Sequence, residues 1–473
     1  MERKTKIVAT LGPATDDADV LAKLIRAGVN VVRVNFSHGD ADDHRRRVRA
    51  VRDVAAEMGR EVGVLADLQG PKIRIESFAE DAVMLEKGRR FTLDTRMAAD
   101  AGTADAVALH YAAMLEDVTP GQQLLINDGA IAMTVDGIDD HRINCTIKRG
   151  GRLSGRKGVN LLGGGLSASG LTQQDIADIG VIAGMEVDFV AVSFVRSVDD
   201  IHQARRLLQE AGSRAHVCAK IERAEALQEL EAIIDASDAV MVARGDLGVE
   251  IGDAELPAVQ KRIISLGREM NRLVITATQM MESMVESPVP TRAEVLDVAN
   301  ATLDGTDAVM LSAETAVGAH PVATVKAMGR ICAGAEHGDT TRRSRRRRAT
   351  HFQRIDEAIA MATTYTARNM HADAIIALTE SGATALLMSR QDTRHPIYAL
   401  TQYKRTQRYL ALCRGVHPVS FAPSDLTGRQ PIIEAITCLK DHGLLQSGQH
   451  VLVTKGDFTG PGGTNAMKIM SVA

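Results

Sequence analysis

Tryptophan is absent from the chain, and aromatic residues of all kinds make up only 3% of its 473 positions. Cores must therefore be built from Ala, Val, Ile, Leu and Met, and an apolar content of 45% is ample for that. Cysteine is scarce too. Cys145, Cys218, Cys332, Cys413 and Cys438 lie far apart, with no CxxC pair. That argues against a zinc site or a disulfide framework and points to a reducing cytoplasmic setting. No run approaches the ~18 apolar residues of a membrane span. The basic N-terminus leads into an apolar stretch too short for a signal peptide, cut off by Gly12-Pro13. A formal net charge of −4 predicts no bulk affinity for nucleic acid or anionic membrane. One local excess stands out, Arg342-Arg343-Ser344-Arg345-Arg346-Arg347-Arg348. It reads either as a solvated linker or as a contact with a neighbouring subunit or polyanion. With no aromatic in the run to stack on bases, the nucleic-acid version is the weaker one.

What is present is a repeated alternation. Eight short, nearly continuous apolar runs are expected to be strands: Lys6–Thr10, Val29–Asn35, Val62–Leu68, Phe189–Ser193, His216–Ile221, Ala239–Ala243, Leu273–Ala277 and Ala308–Ser312. Strands of this kind belong to parallel sheets buried on both faces. Helical patterns lie between most of them, at Ala18–Ala27, Asp43–Met58, Ser197–Glu210, Ala226–Ser237 and Ala258–Glu269. Eight strand–helix repeats predict an α/β chain built on a (β/α)₈ TIM barrel.

The third and fourth strands are more than a hundred residues apart. The intervening stretch carries short strand patterns at Arg90–Asp94, Gln123–Ile126, Ala130–Val135 and Arg142–Lys148, then Gly150-Gly151 and Gly163–Gly165. It is expected to form a small inserted β-barrel lid on a glycine-rich hinge. Beyond the Arg run, helix and strand patterns alternate from Ile355 to Thr454 and predict a C-terminal open-sheet α/β domain. The expected domains are 1–69 with 169–341 (barrel), 70–168 (lid), 342–354 (basic linker) and 355–473 (C-terminal domain).

A barrel gathers its chemistry at the C-terminal ends of its strands. Polar residues collect there: Arg33, Asn35 and Ser37; Asp67, Lys72 and Arg74; Ser193; Lys220 and Glu222; Arg244 and Asp246; Thr278 and Gln279; Ser312 and Glu314. Each has a plain structural alternative, such as a salt bridge, a turn or a helix cap. Eight strands, however, aim all of them at one mouth. Glu222 and Asp246 are hard oxygen ligands suited to Mg²⁺. Arg33 is a fork donor for phosphate, and Lys220 is a point charge able to follow a shifting phosphoryl group. Gly245 and Thr278 could hold a carboxylate at a helix N-terminus. The set suits phosphoryl transfer, and at this level a lyase or an aldolase fits as well.

The segments KTKIVATLGPAT, VNFSHG, DLQGPKIRI, RKGVN, AKIERAEAL, ARGDLGVEI, TATQMMESM and LSAETA, in this order, closely resemble the pyruvate kinase family, and the resemblance runs through the C-terminal region. It implies transfer of the phosphoryl group of phosphoenolpyruvate to ADP, giving pyruvate and ATP, the last step of glycolysis. It implies Glu222 and Asp246 as Mg²⁺ ligands (Mn²⁺ being the alternative ion), with Lys220 on the transferring phosphoryl group. Arg33 and Ser193 would contact the substrate phosphate, and Gly245, Asp246 and Thr278 its carboxylate. Asn35, His38, Arg74 and Lys157 would serve the nucleotide. Thr278 and Ser312 would relay a proton to the enolate carbon. A homotetramer with an allosteric effector on the last domain is also implied. A barrel lyase sharing the metal site and an inactive paralogue are the competing readings.

Two expectations follow from departures within the resemblance. Members that need K⁺ hold it with residues matching Asn35, Ser37, Asp67 and the Leu68 carbonyl, and usually carry Glu where this chain has Lys72. A tethered ammonium can supply the charge of the ion, so K⁺ is expected to be dispensable. In the C-terminal region, Thr379-Glu380-Ser381-Gly382-Ala383-Thr384 resembles the family's effector-phosphate loop. Ala383 replaces a residue that is often basic, and no Trp is available to meet a sugar bisphosphate. A singly phosphorylated effector, AMP or a sugar monophosphate, is therefore expected on Thr379, Ser381, Gly382 and Thr384, bounded also by the Lys455–Thr464 loop.

Overall fold

The structure is a computed structural model, and it describes residues 3–338, 352–391, 393–424, 428–456 and 462–473. The Arg342–Arg348 run lies outside the described residues, as does the middle of the Lys455–Thr464 loop.

Eight parallel strands close into a barrel: β1 (Lys6–Thr10), β2 (Val31–Asn35), β3 (Gly63–Asp67), β4 (Phe189–Val192), β5 (His216–Ile221), β6 (Ala239–Ala243), β7 (Leu273–Ala277) and β8 (Ala308–Leu311). Each pairs with its chain neighbours, and β8 returns to β1 with Ala9 beside Leu311. Each expected strand is present to within two residues. Alternation with period two explains both their apolar continuity and the site. One set of side chains, such as Ile7, Val32, Val64 and Val190, packs outward under the helices. The other set, such as Val8, Val31, Leu65, Phe189, Cys218 and Met310, fills the barrel interior. Two residues further along, that inner row delivers Thr10, Arg33, Asp67, Lys220 and Ser312 to the mouth.

Helices Gln173–Ala183, Arg292–Asp304 and Pro321–Gly338 were not among the expected ones. Ala, Gly and polar residues blur their periodicity, although Thr291 caps the second by accepting from the Glu294 N–H at 3.3 Å. The expected helix Ala226–Ser237 is a single 3₁₀ turn followed by a shorter helix, Leu230–Ala236. The Arg244-Gly245-Asp246 corner is the first turn of a helix, Arg244–Ile251.

Between β3 and β4 the chain forms a six-stranded, mainly antiparallel sheet. Its order is Val159–Leu161, Gln123–Ile126, Ile131–Asp139, Arg142–Arg149, Arg90–Asp94, Ala106–Ala108. Among the described residues this order does not close into a barrel as expected; the ribbon Ala82–Leu85 with Gly151–Ser154 stands apart from it. Gly151 therefore lies in a strand, not in a hinge.

The C-terminal body is a five-stranded sheet of β9 (Ala374–Leu378), β10 (Ile397–Thr401), β11 (Val416–Ser420), β12 (His450–Gly456) and β13 (Thr464–Ser471), in the order β11-β10-β9-β12-β13. β11 contains Pro418, which a strand tolerates at a sheet edge, and β13 adds antiparallel to the other edge. This body plugs the base of the barrel. Arg390 grips the buried Asp307 at the foot of β8 at 2.8 and 3.0 Å, and Lys6 Nζ donates to the Val416 carbonyl at 2.6 Å. Tyr409 lies over Phe189 and His216.

Candidate active site

At the barrel mouth the inner row converges on one buried cluster. Arg33 donates from Nε to Asp67 at 2.6 Å and from Nη1 to the Thr10 hydroxyl at 3.2 Å. Lys220 Nζ lies 3.2 Å from Asp67 and 3.0 Å from Glu222, and donates to Ser193 Oγ at 2.7 Å. Ser193 in turn donates to the Leu68 carbonyl at 2.7 Å. Glu222 accepts the Phe194 N–H at 2.7 Å. Burial alone would raise the carboxyl of Asp67, but Lys220 and Arg33 outweigh it and hold the group below its usual range. Burial would lower Lys220, but Asp67 and Glu222 outweigh it and hold the ammonium charged. Glu222 goes the other way: burial pushes it up, Lys220 opposes, and the charges of Asp246 and Asp67 add to the rise. A second cation near Glu222 and Asp246 would relieve that strain.

Asp246, in the first turn of helix Arg244–Ile251, accepts from Lys72 Nζ at 2.8 Å. Lys72 was expected beside Asp67. Instead its stem crosses Gly158, where an added side chain would meet Lys72 Cε at 3.0 Å, and its ammonium reaches the opposite carboxylate. Three carboxylates, Asp67, Glu222 and Asp246, thus face three cations, Arg33, Lys220 and Lys72. Among the described residues no three His, Cys, Asp or Glu side chains form a ready-made metal cage. Two carboxylates completed by substrate oxygens and water are what a Mg²⁺ site of substrate-bridging type requires, so Glu222 and Asp246 fit the ion.

Thr278 and Gln279, after β7, have φ of 64° and 53°. For a β-branched residue this is a strained backbone, of the kind found at functional sites. Arg244 holds it, donating to the Thr278 carbonyl at 2.7 Å and to the Ala277 carbonyl at 3.1 Å while pairing with Asp297 at 2.7 Å. The strained corner places Thr278 Oγ1 as acceptor of the Gly245 N–H at 2.8 Å. Ser312 follows β8, and its N–H donates at 2.6 Å to Glu314, a carboxyl pushed up by burial. Thr10, which props Arg33, was not among the expected residues, whereas Glu314 was expected at the mouth beside Ser312.

Of the expected nucleotide residues, Asn35 ends β2 directly beside Asp67. His38 is exposed, and its N–H bonds the Asn35 carbonyl at 3.2 Å. Ser37 N–H donates to Asn35 Oδ1 at 3.2 Å. Arg74 and Lys157 sit on the two chain segments of the neck that carries the inserted body. Arg74 bridges to Gly158, and the Ile75 N–H donates to the Lys157 carbonyl at 2.9 Å.

Residues 2–325 match the pyruvate kinase barrel domain and residues 357–470 the pyruvate kinase alpha/beta domain. The chain belongs to the pyruvate kinase family. It is 50% identical to pyruvate kinase II of Salmonella typhimurium over 475 residues, covering 99% of each chain. It is 49% identical to a pyruvate kinase of Haemophilus influenzae over 458 residues, covering 96% of each. A pyruvate kinase of Mycobacterium tuberculosis shares 43% over 419 residues, covering 88% of this chain and 87% of its own. The α/β fold of closed barrel and open-sheet C-terminal body agrees with that family. No described helix is long and apolar enough to cross a membrane.

A second concavity lies in the C-terminal body. It is a solvent-open hollow of about 880 Å³ lined by Thr379, Ser381, Thr384, Tyr403, Lys455 and Thr464 among others. Gly382, with φ 86°, donates its N–H to Thr379 Oγ1 at 2.9 Å, and Thr384 and Thr464 share a hydroxyl contact at 2.6 Å.

Proposed function

We propose that the chain transfers the phosphoryl group of phosphoenolpyruvate to ADP, giving pyruvate and ATP, with the work done at the barrel mouth. The observation that carries this reading is the Lys220 ammonium, buried and held charged between Asp67, Glu222 and Ser193 beside Arg33. Phosphoryl transfer needs mainly positioning and charge neutralisation. Arg33 has no partner on Nη2 among the described residues, which suits it to a phosphate oxygen. Lys220, freed from Asp67 by a small shift, follows the phosphoryl group. The Gly245–Thr278 corner seats the substrate carboxylate, with Ser312 and Thr278 on the side where the enolate carbon takes its proton. Glu222 and Asp246 would hold Mg²⁺ (or Mn²⁺), which would supply charge neutralisation for the transferring phosphoryl group. Asn35, His38, Arg74 and Lys157 serve the nucleotide. Arg74 and Lys157 reach it when the inserted body rotates toward the mouth and excludes water.

K⁺ is dispensable on this reading. With a divalent ion held by Asp246, the Lys72 ammonium would be free of that carboxylate and could stand near Asn35, Ser37, Asp67 and the Leu68 carbonyl in place of K⁺. The hollow in the C-terminal body takes a phosphorylated effector. Its hydroxyls and Lys455 suit one phosphate, and Tyr403, 46% exposed at the rim, offers a stacking face that favours AMP over a sugar monophosphate. The working unit is a homotetramer, the assembly that the resemblance to pyruvate kinases implies. The setting is cytoplasmic, supported by five free cysteines. The test is pyruvate formation from phosphoenolpyruvate, with and without ADP and Mg²⁺. Formation that needs both is expected; consumption without ADP would indicate a lyase instead.

A further inference from the structure

The neck of the inserted body returns to the barrel through Gly163, Gly164 and Gly165, whose φ values of 92°, 79° and 111° suit glycine alone. Three barrel residues grip this return. Arg223 donates to the carbonyls of Leu166 and, at 3.0 Å, Ala168. Glu225 accepts the Gly165 N–H at 2.5 Å, and a side chain at Gly164 would meet Ala224 and Glu225 at 3.0 Å. The Glu250 carbonyl accepts the Gly163 N–H at 2.8 Å. Its carboxylate, on a residue only 3% exposed, accepts the Ala224 N–H at 2.8 Å and bonds Asn160 on the strand that leads into the turn.

These residues are chain neighbours of the two site carboxylates. Glu222 directly precedes Arg223-Ala224-Glu225, and Asp246 lies in the first turn of the helix whose last turn holds Glu250. Glu250 therefore touches the segment after Glu222, the helix of Asp246 and the neck at once. We propose that Glu250 is a positioning residue that sets the spacing of Glu222 and Asp246 and couples it to the seat of the neck, so that divalent-ion affinity and the anchoring of the inserted body change together. The proposal rests on the reading of Glu222 and Asp246 as the ion's ligands.

What Glu250 supplies is geometry more than charge. The groups facing it are the Ala224 N–H, the Asn160 amide, the Arg223 guanidinium and the Glu225 carboxylate. Burial, with Glu225 adding to it, pushes the Glu250 carboxyl up to about 7, against the opposing pull of Ala224, Arg223 and Asn160. A glutamine amide has the shape of the glutamate carboxyl and keeps an acceptor for the Ala224 N–H. Glu250→Gln should therefore preserve the arrangement. Glu250→Ala leaves the buried Ala224 N–H without its acceptor and lets the two segments drift.

The experiment measures Mn²⁺ binding to the full-length protein without substrates, by the resonance signal of the free ion, together with amide exchange over residues 160–168. Glu250→Ala should weaken Mn²⁺ binding ~10-fold, the usual scale for losing a partner behind a metal ligand, and should speed exchange at Gly163–Gly165. Glu250→Gln should stay close to wild type in both. Faster exchange with unchanged Mn²⁺ binding would reduce Glu250 to a neck anchor and overturn the coupling, and no change in either would remove any role. Should Glu250→Ala fail to fold, Asn160→Ala cuts the neck-side bond alone; it must speed exchange and weaken Mn²⁺ binding, and unchanged binding would again overturn the coupling. Glu222→Gln serves as the control. If it leaves Mn²⁺ binding intact, the failure lies in the ligand assignment, while exchange still judges the grip on the neck.

Discussion

The two ends of the barrel each bury an aspartate against arginine, and they do so in different ways. At the base, Asp307 accepts from Arg390, from the Val274 N–H at 2.9 Å and from the Arg414 N–H at 3.0 Å. Two of its three partners are peptide groups that cannot leave without unfolding β7 or the C-terminal body. At the mouth, Asp67 is held by Arg33 and Lys220, both side chains. A charge tied to backbone is a fastener. A charge balanced by side chains can be rebalanced when a phosphate and a metal ion arrive. The same residue types therefore read as stability at the N-terminal face and as chemistry at the C-terminal face.

Breaking the base should show the larger effect on stability. Arg390→Met strands a buried carboxylate and should cost ~3–5 kcal/mol, read as a fall of several degrees in the thermal midpoint, while the protein that remains folded binds Mn²⁺ as wild type does. At the mouth, Glu222→Gln and Asp246→Asn should leave the midpoint within ~1–2 degrees and raise the Mg²⁺ requirement ~10-fold or more in initial-rate titrations. An unchanged Mg²⁺ dependence in both would remove the metal assignment.

A smaller effect comes from pH. The folded Glu250 carboxyl titrates at about 7, above its ordinary value of 4.5. The folded state thus binds this proton more tightly than the unfolded chain does. The group's contribution is present below about 4.5, falls as pH rises through the window up to about 7, and is spent above it; its full size is at most ~3 kcal/mol. Glu250→Gln should flatten unfolding free energy against pH between 5 and 7, and an identical slope in both proteins would refute the shift. The smallest expected effect is that of K⁺. Initial rates in K⁺-free, tetramethylammonium-balanced buffer should lie within ~2-fold of those in KCl, and Lys72→Glu should create a K⁺ response. A ~10-fold stimulation of the wild type would show that Lys72 does not stand in for the ion.

Much of this arrangement was legible in the sequence because buried parallel strands leave continuous apolar runs, and period two then dictates which strand-end residues point inward. Arg33, Asp67 and Lys220 could be placed together on that ground alone. Helix Pro321–Gly338, with Gly329 and Gly334 inside it, and strand Val416–Ser420, with Pro418, escaped because their residues are poor local formers held by tertiary contacts. The partner of Lys72 could not be read because it depends on where the neck crosses the mouth. Arg223, Glu225 and Glu250 are charged side chains that read as surface residues in the sequence, and their partners on the return of the neck lie far along the chain.

The central claim is that the mouth cluster acts in the reaction and the base cluster in folding. Lys220→Met tests it most directly, because Asp67 keeps Arg33, and Glu222 keeps the Phe194 N–H and can take up a proton. The measurement is the rate of pyruvate formation from phosphoenolpyruvate and ADP, alongside the thermal midpoint of the same sample. A rate loss of ~10²–10³ or more with a midpoint close to wild type is predicted. Near-wild-type turnover by folded Lys220→Met protein would contradict the account.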